Sequence, residues 1–437
     1  MSSPLFDPVF GSSAVSTALS DTAWVRALLD VEVALGYACA SAGLIPGGDA
    51  EEIERAATYL AEECNIVALG HEAASGGNPV IPLVEWLRRT ATVAPRSVHH
   101  GATSQDVMDT ALMLLLRRAG DSVLSDARRC VDAAADLARR HRDTTMVART
   151  LGQQAAPTTF GAVAAGWAVS MYDAATLLSS ALESAVIQIG GAAGTLAALH
   201  PEGRTVSTAL AARLGLREPP VPWHTDRVPL ARIATAFGVM AGACSGPALT
   251  ITLLSTTEVG EVAESAPGGS SAMPHKRNPV AAITARAAAS RVPGAVATIL
   301  STMSHDHQRA SGLWHAEWLT AVDVVRGTGG ATARLAESLT GLRVHADVMR
   351  RNLGITGGAI FAERVTAALA QHVDDARTIV TEACMSGRRL DDDPRILDHL
   401  GRDVVLTLLD PDHYTGHAGD LVDSALAHVS NPEMRTP

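Results

Sequence analysis

Apolar residues recur at helical spacing along much of this chain of 437 residues. The run after Ser20 and Asp21 predicts a helix, because both residues are favoured at helix starts and Gly43 is typical of a helix end. The apolar positions of this run are Trp24, Leu28, Val31, Leu35 and Ala42. Their spacing of three, four or seven residues places them on one face.

A second and longer helix is predicted from Thr103 to about His141. The tetrad Thr103-Ser104-Gln105-Asp106 fits the T-x-x-D form of a capping box, which marks a helix start. The apolar face that follows consists of Val107, Ala111, Leu114, Val123, Ala127 and Val131. Another helical run extends from Val280 to about Leu300, and shorter helical patterns follow from about Leu353.

Two segments, Thr150–Tyr172 and Ile233–Thr257, contain no charged residue and are long enough to pass a length test for membrane spans. They also contain Thr, Ser, Gln, Gly and Pro, so we predict instead that they form the core of a helical bundle or of an oligomer. The Pro-rich segment Arg217–Arg227 is predicted to be an ordered surface connection. No segment alternates apolar and polar residues over a sustained stretch, which predicts an all-α fold.

Composition narrows the function classes. The net charge of −11 and the lack of a long basic run argue against a nucleic-acid partner. The five cysteines are scattered and form no CxxC pair, so neither a disulfide framework nor a zinc site is expected. The first residues have no basic stretch followed by an apolar one, so we expect no signal peptide, no membrane association and a cytoplasmic location.

The stretch "PGGSSAMPHKRNPV", residues 267–280, combines two serines with a cluster of cations on a Gly- and Pro-rich loop. A serine acts as a base only when its alkoxide is stabilised, and Lys276, His275 and the N–H groups of a helix starting near Pro279 are candidates for this task. The same charges suit the aci-carboxylate that forms when a proton leaves carbon beside a carboxylate. Gly268 and Gly269 would let the loop close. The alternative is a flexible, solvated basic turn.

Two other motifs have both a functional and a structural interpretation. "HHGATSQD", residues 99–106, predicts a helix cap, and a helix N-terminus with hydroxyls also binds carboxylates well. "HDH", residues 305–307, has metal-binding residue types, but without a third ligand we predict hydrogen-bonding or surface histidines.

Three blocks of the sequence resemble the conserved blocks of the fumarase/aspartase superfamily, in the family's order: "HHGATSQDVMDTA", "ARTLGQQAAPTTFG" and "GGSSAMPHKRNPV". Further stretches resemble the branch of bacterial 3-carboxy-cis,cis-muconate cycloisomerases, among them "PWHTDR", "GLWHAEW" and "MRRNLGITGG". The resemblance implies a three-domain subunit of a homotetramer: an N-terminal helical domain (1–102), a central long-helix bundle (103–352) and a small C-terminal helical domain (353–437). It also implies that three subunits contribute to each active site.

The resemblance assigns roles to individual residues. Ser270 matches the catalytic base, and Lys276 and Asn278 match residues that hold a carboxylate and stabilise the aci-carboxylate. The other expected substrate-binding residues are His99, Thr103, Ser104, Thr150, Gln153, Met273 and Arg309. Neither a metal nor an organic cofactor is implied.

Two positions depart from the relatives. Fumarase and adenylosuccinate lyase have a histidine where this chain has Leu151, which argues against adenylosuccinate lyase and fits the cycloisomerase branch. Gln308 stands where relatives often have Glu, and the loss of this carboxylate removes a candidate proton carrier. Both departures favour a reaction whose leaving group needs no protonation.

Three functions stay open on the sequence. The first is a cycloisomerase that adds a carboxylate across a muconate double bond. The second is a β-elimination that releases fumarate from a substituted succinate, notably nitrosuccinate with nitrite as the other product. The third is a non-catalytic homologue of the lens-crystallin kind, against which the joint presence of Ser270, Lys276 and Asn278 argues. A small polycarboxylate is the expected substrate in both enzymatic cases.

Overall fold

The computed structural model describes residues 5–269 and 272–430, and most of these residues are helical. The first nine helices in chain order are α1 Asp7–Phe10, α2 Ser13–Ala18, α3 Asp21–Ser41, α4 Gly47–Glu63, α5 Ile66–Gly76, α6 Val80–Thr90, α7 Ser104–Arg140, α8 Phe160–Glu183 and α9 Gly203–Leu214. The others are α10 Val228–Leu254, α11 Val280–Ser301, α12 Leu313–Thr340, α13 Ala346–Asn352, α14 Ala362–Leu369, α15 Ala376–Met385, α16 Pro394–Leu400, α17 Arg402–Leu408 and α18 Ala418–Val429.

Four short strands form two antiparallel pairs, β1 Thr145–Thr150 with β2 Gln153–Thr159, and β3 Val262–Ala263 with β4 Arg343–Val344. The sequence prediction of helix alone was therefore wrong at these positions. In the uncharged segment Thr150–Tyr172, the Pro- and Thr-rich first part, which we expect to lead into a helix, belongs to a hairpin, and α8 begins at Phe160.

The chain divides into two compact units, each assembled from three stretches. Unit 1 consists of Met1–Asp126, Ala174–Ser245 and Ala285–Ala333, and unit 2 of Ala127–Asp173, Gly246–Thr284 and Arg334–Pro437. The long helices α7, α8, α10, α11 and α12 each have residues in both units. The division into domains 1–102, 103–352 and 353–437 stays a prediction.

In unit 1, α3 packs against α4 and α9. The side chain of Ser20 accepts a hydrogen bond from the Ala23 N–H, which confirms the predicted cap of α3. All six apolar residues predicted for one face of α7 are buried. This buried face holds α7 in place, so the polar residues of its first turn have a fixed position.

In unit 2, α13 packs against the β1–β2 hairpin, and helices α14 to α17 surround a separate apolar cluster. The cluster includes Val365, Leu369, Val380, Ile396 and Val405. The short C-terminal helices predicted from about Leu353 are thus confirmed.

Helix α10 is, within the described residues, long and apolar enough to cross a membrane by length and composition, and 44% of its most apolar window is buried. A core helix passes the same test. Its exposed residues are Val228, Arg232, Val239, Gly242, Gly246, Leu249 and Leu253. They recur at intervals of three, four or seven, so one stripe of the helix is left uncovered within a single chain.

Candidate active site

The predicted carboxylate-binding pair lies at the N-terminus of α7. Thr103 precedes the helix and Ser104 begins it, and both are half-buried. The Asp106 carboxylate turns inward, where Oδ2 accepts hydrogen bonds from the N–H groups of Thr103 (3.0 Å) and Gly191 (2.9 Å). The bond to Thr103 is the carboxylate half of the predicted capping box. Because Asp106 holds the backbone, the two hydroxyls stand at the positive end of the helix dipole, which favours an anion.

Arg309 lies beside this helix start, in the segment between α11 and α12. Its guanidinium donates to Gln105 Oε1 (3.3 Å) and to the carbonyl oxygens of Gly191 (3.4 Å) and Ala192 (3.1 Å). Arg309 thus connects the first turn of α7 to the Gly191–Ala192 backbone. Arg309 therefore lies near Thr103 and Ser104, and its part in substrate binding stays a prediction.

His99 lies between α6 and α7, with a left-handed backbone (φ 61°). Its Nδ1 is 2.6 Å from Oε1 of Glu32, a residue of α3 whose side chain is 1% exposed. Burial lowers the pKa of His99, but the charge and hydrogen bond of Glu32, helped by Asp106, outweigh burial and raise the pKa above its usual value. Sequence reasoning gave no partner for His99, because Glu32 belongs to a helix that reads as core.

A network of buried ion pairs includes Asp109, which lies near the start of α7. Arg227 donates to the Asp109 carboxylate (2.8 and 3.0 Å) and to the Glu317 carboxylate (2.7 to 3.1 Å), and none of its side chain is exposed. Trp314 also donates to Asp109, and His305 contacts Glu317 at 3.1 Å. Burial raises the pKa of Glu317 to about 7, although Arg227 opposes the shift. Burial and the Arg227 charge lower the pKa of His305.

This network bears on two sequence predictions. His305 of the "HDH" motif is a hydrogen-bonding residue, as predicted. The prediction for Arg217–Arg227 was wrong in part. Its last residues point inward, since Trp223, His224 and Arg227 are buried and His224 contacts Asp106 at 2.6 Å.

Thr150 and Gln153 face each other at the tip of the β1–β2 hairpin, and both are exposed. Leu151 and Gly152 form the turn with φ values of 51° and 80°, the left-handed pair that two-residue hairpin turns require. Below the tip, Arg149 forms a double hydrogen bond with the buried Glu261 (2.6 and 2.9 Å). This ion pair anchors the hairpin, so its tip presents polar side chains at a fixed place in unit 2.

The loop with the cations is closed at its base. Gly268 and Asn278 pair as in an antiparallel sheet, with two backbone hydrogen bonds of 2.9 Å. Lys276 and Met273 are exposed above this base. A side chain at position 268 would clash with Val280, which explains the glycine there. Ser270 and Ser271 lie outside the described residues.

One predicted function of this loop region is corrected. The N–H groups of the first turn of α11 are not available to an alkoxide, because Ala281 and Ala282 donate to the buried carboxylate of Glu264 (3.2 and 2.8 Å). The N–H groups of Val280 and Ile283 donate to backbone carbonyls.

The structure sorts the predicted residues into three groups. His99, Thr103, Ser104 and Arg309 surround the start of α7 in unit 1. Thr150 and Gln153 form the hairpin tip, and Met273, Lys276 and Asn278 lie on the loop, both in unit 2. Sequence reasoning missed the supporting residues Glu32, Asp109, Arg227 and Glu317. A signal for one of them was present: Asp106 and Asp109 lie one turn apart at the start of a helix whose later positions are largely apolar.

Fold and site together define a mostly helical enzyme of the lyase and cycloisomerase class, and comparison with known proteins agrees. Residues 7–294 match the lyase family, and the chain belongs to this family, the fumarase/aspartase superfamily. It is 41% identical to a 3-carboxy-cis,cis-muconate cycloisomerase of Bradyrhizobium diazoefficiens, over 97% of this chain and 98% of the relative. It is 40% identical to a nitrosuccinate lyase of Streptomyces davaonensis, over 100% of this chain and 96% of the relative.

Comparison with solved structures agrees with this family membership. The crystal structure of a 3-carboxy-cis,cis-muconate lactonizing enzyme from Pseudomonas putida superposes with a TM-score of 0.93 at 38% identity. The match covers 99% of this chain and all of that one. The resemblance found in the sequence motifs is thereby confirmed along the whole chain.

Proposed function

We propose that this enzyme is a cytoplasmic 3-carboxy-cis,cis-muconate cycloisomerase. The observation that carries the proposal is the identity of 41% over nearly the whole length of a cycloisomerase relative. The three groups of polar residues suit a substrate with several carboxylates, because each offers hydroxyl, amide or cationic donors. In the reaction, a carboxylate oxygen adds to one carbon of a double bond, and the electron pair moves to the neighbouring carbon as an aci-carboxylate. That carbon then gains a proton.

We assign the proton chemistry to Ser270, the base that removes this proton in the reverse direction. Lys276 and Asn278 stabilise the aci-carboxylate from the loop. His99, Thr103, Ser104 and Arg309 bind a carboxylate at the start of α7, and we also assign Thr150, Gln153 and Met273 to substrate binding. Preorganised donors of this kind act on the charge that develops in the transition state.

The second candidate is elimination of nitrite from nitrosuccinate, for which Ser270 removes the proton beside a carboxylate and fumarate is left. Leu151 and Gln308 favour this candidate. Leu151 is fully exposed at the hairpin tip, and Gln308 is exposed beside Arg309, so neither position offers a proton donor. Nitrite leaves as a stable anion and needs no general acid.

We further propose a homotetramer in which three subunits contribute to each site. The uncovered stripe of α10 supports this assembly, because its exposed residues are small or apolar except for Arg232 and have the heptad spacing of helix–helix contacts. Leu177 of α8 is also apolar and about half-exposed. Burial of such helices between subunits is the usual way to cover apolar surface of this extent.

A paired ultraviolet assay tests the proposal. Purified enzyme receives 3-carboxy-cis,cis-muconate in one cuvette and nitrosuccinate in the other. We expect loss of the muconate absorbance alone. Fumarate and nitrite in the second cuvette would select the elimination instead, and silence in both would contradict both candidates.

A further inference from the structure

The pair formed by His99 and Glu32 is an unusual feature of unit 1. Glu32 lies on α3 between Val31 and Ala34, both buried, and its own side chain is 1% exposed. Removing a carboxylate from water is costly unless it is paired. Among the described residues its Oε2 has no hydrogen-bond partner, and its Oε1 has His99. An apolar residue would fill this core position equally well, so the carboxylate indicates a function. Its contact with His99 indicates that it acts through this histidine.

The contact also determines which atoms of His99 are occupied. Nδ1 is 2.6 Å from Glu32 Oε1, a distance typical of a charge-assisted hydrogen bond. With Nδ1–H directed to Glu32, the ring of the imidazolium offers Nε2–H as its second donor. The His99 side chain is 14% exposed, whereas Glu32 is closed off. A solute that reaches this place therefore meets the histidine and not the carboxylate.

Other charged groups face His99 from the neighbouring helices. Asp106 on α7 favours the charged ring, and Arg88 on α6 opposes it. Asp106 is itself bonded to His224, which limits its influence on His99. Cys39 on α3 lies near Glu32, and burial and the Glu32 charge raise the pKa of its thiol to about 12, so it stays neutral. Glu32 is the group that makes direct contact.

We propose that Glu32 is a positioning residue that keeps His99 as an imidazolium, so that His99 and the Thr103–Ser104 helix start bind one carboxylate of the substrate together. The inference rests on the proposed function for its choice of ligand. It deepens that function by making one carboxylate subsite dependent on pH. It also assigns to α3, a helix outside the three conserved blocks, a part in substrate binding.

The sign of the pH dependence follows from the raised pKa of His99. The cation, and with it the affinity for a carboxylate, is present below that pKa and is lost as pH rises through it. In Glu32→Gln the ring stays buried but loses its negative partner, so the pKa of His99 falls. The affinity is then lost at a lower pH. Between the two pKa values, wild-type enzyme binds a carboxylate and the variant does not bind it well.

Binding of succinate, measured by calorimetry between pH 5.5 and 9, tests this directly. At a pH between the His99 titration midpoints of the two proteins we expect Glu32→Gln to bind succinate about tenfold more weakly than wild type, the loss of one charge-assisted hydrogen bond. Below both midpoints the two proteins should bind it alike. The matched control is Glu52→Gln, which removes another mostly buried carboxylate that pairs with Arg55 on α4, and its profile should follow wild type.

A second readout does not depend on any substrate. NMR of enzyme with 13C-labelled histidine follows the titration of His99, and we expect a lower pKa in Glu32→Gln. An unchanged titration would overturn the positioning role. A changed titration with unchanged succinate affinity would overturn the carboxylate subsite. An equal loss of affinity below both midpoints and between them would mean a structural defect and would also contradict the proposal.

If Glu32→Gln does not fold, His99→Gln provides a second test of the proposal. Without the cation, succinate affinity should no longer vary with pH in the range where His99 titrates in wild type, and a persisting variation would refute the subsite. The subsite and the proposed function can fail independently of each other. Enzyme that turns over neither muconate nor nitrosuccinate, yet binds succinate with the predicted pH dependence, would refute the function and keep the subsite.

Discussion

Arg227 has no exposed side-chain surface, and two buried carboxylates share its guanidinium. Each carboxylate has further donors, Trp314 for Asp109 and His305 for Glu317, so the network is well paired. A buried ion pair contributes little by itself, but removal of one partner leaves an uncompensated charge. The network therefore makes unit 1 intolerant of change at Arg227, even though its hydrogen bonds go to none of the predicted substrate-binding residues that the structure describes.

Replacement of Arg227 by Met should lower the free energy of unfolding by about 3–5 kcal/mol, since Asp109 and Glu317 lose their cation. The loss should be larger at pH 8 than at pH 6. A carboxyl group whose pKa is raised by folding favours the folded state only while it is protonated, below that pKa. In the variant, Glu317 that ionises at high pH has no opposite charge beside it. Urea denaturation at the two pH values measures this.

The control is Arg118→Met. Arg118 and Asp30 form an ion pair of 2.8 Å whose side chains are both about half-exposed. Its removal should cost less than about 1 kcal/mol, as for most surface pairs. Equal losses in the two variants would show that the buried network contributes no more to the free energy of unfolding than a surface ion pair does.

At the scale of elements, helical periodicity predicted α3, α7 and α11 well and the β1–β2 hairpin not at all. The bounds of α3, α7 and α11 agree with the predictions within a few residues, because each has a recognisable start and a regular apolar face. The hairpin has neither signal. Its turn is Leu151-Gly152 and not the usual Asn-Gly, and a bulge between Val147 and Arg149 breaks the alternation.

The candidate site was predictable to the extent that its residues belong to short motifs. Thr103, Ser104 and the loop 267–280 could be found in this way, since their chemistry is local in the sequence. Glu32 and Glu317 could not, because each acid has apolar neighbours in the sequence and its partner is remote, His99 or Arg227. Only tertiary structure brings such partners together.

Glu264 gives an element-scale prediction. Its carboxylate accepts from Ala281 and Ala282 at the start of α11 and from the Ser338 hydroxyl at 2.7 Å. Glu264→Ala should lower the free energy of unfolding by about 1–3 kcal/mol, because buried donors lose their acceptor. Thermal denaturation measures the loss, and Glu258→Ala, at an exposed residue, should leave the stability nearly unchanged.

At the scale of the whole molecule, the uncovered stripe on α10 is the strongest indication of assembly. A chain with a net charge of −11 still leaves apolar and small residues in a heptad row on a 27-residue helix. Covering this row with the same helix of other subunits would remove apolar surface from water. It would also explain why Ile233–Thr257 contains no charge.

Leu253→Arg should therefore prevent or weaken the proposed tetramer, because the charge would be buried in the proposed interface without a partner. Light scattering after gel filtration measures the mass of the assembly. Val404→Arg, at a residue of α17 that is about half-exposed, is the control and should stay at the mass of wild type. A Leu253→Arg protein of unchanged mass would contradict the proposed use of this stripe.

The central claim is that Ser270 handles the proton beside a substrate carboxylate. The most direct measurement is the kcat of Ser270→Ala, with Ser271→Ala as the neighbouring control, on whichever of the two substrates the wild type turns over. The account predicts that Ser270→Ala loses about 10²–10⁴ in kcat, the usual contribution of a general base, while KM changes little. Ser271→Ala should keep most of its activity. A Ser270→Ala enzyme as active as the Ser271→Ala control would contradict the account.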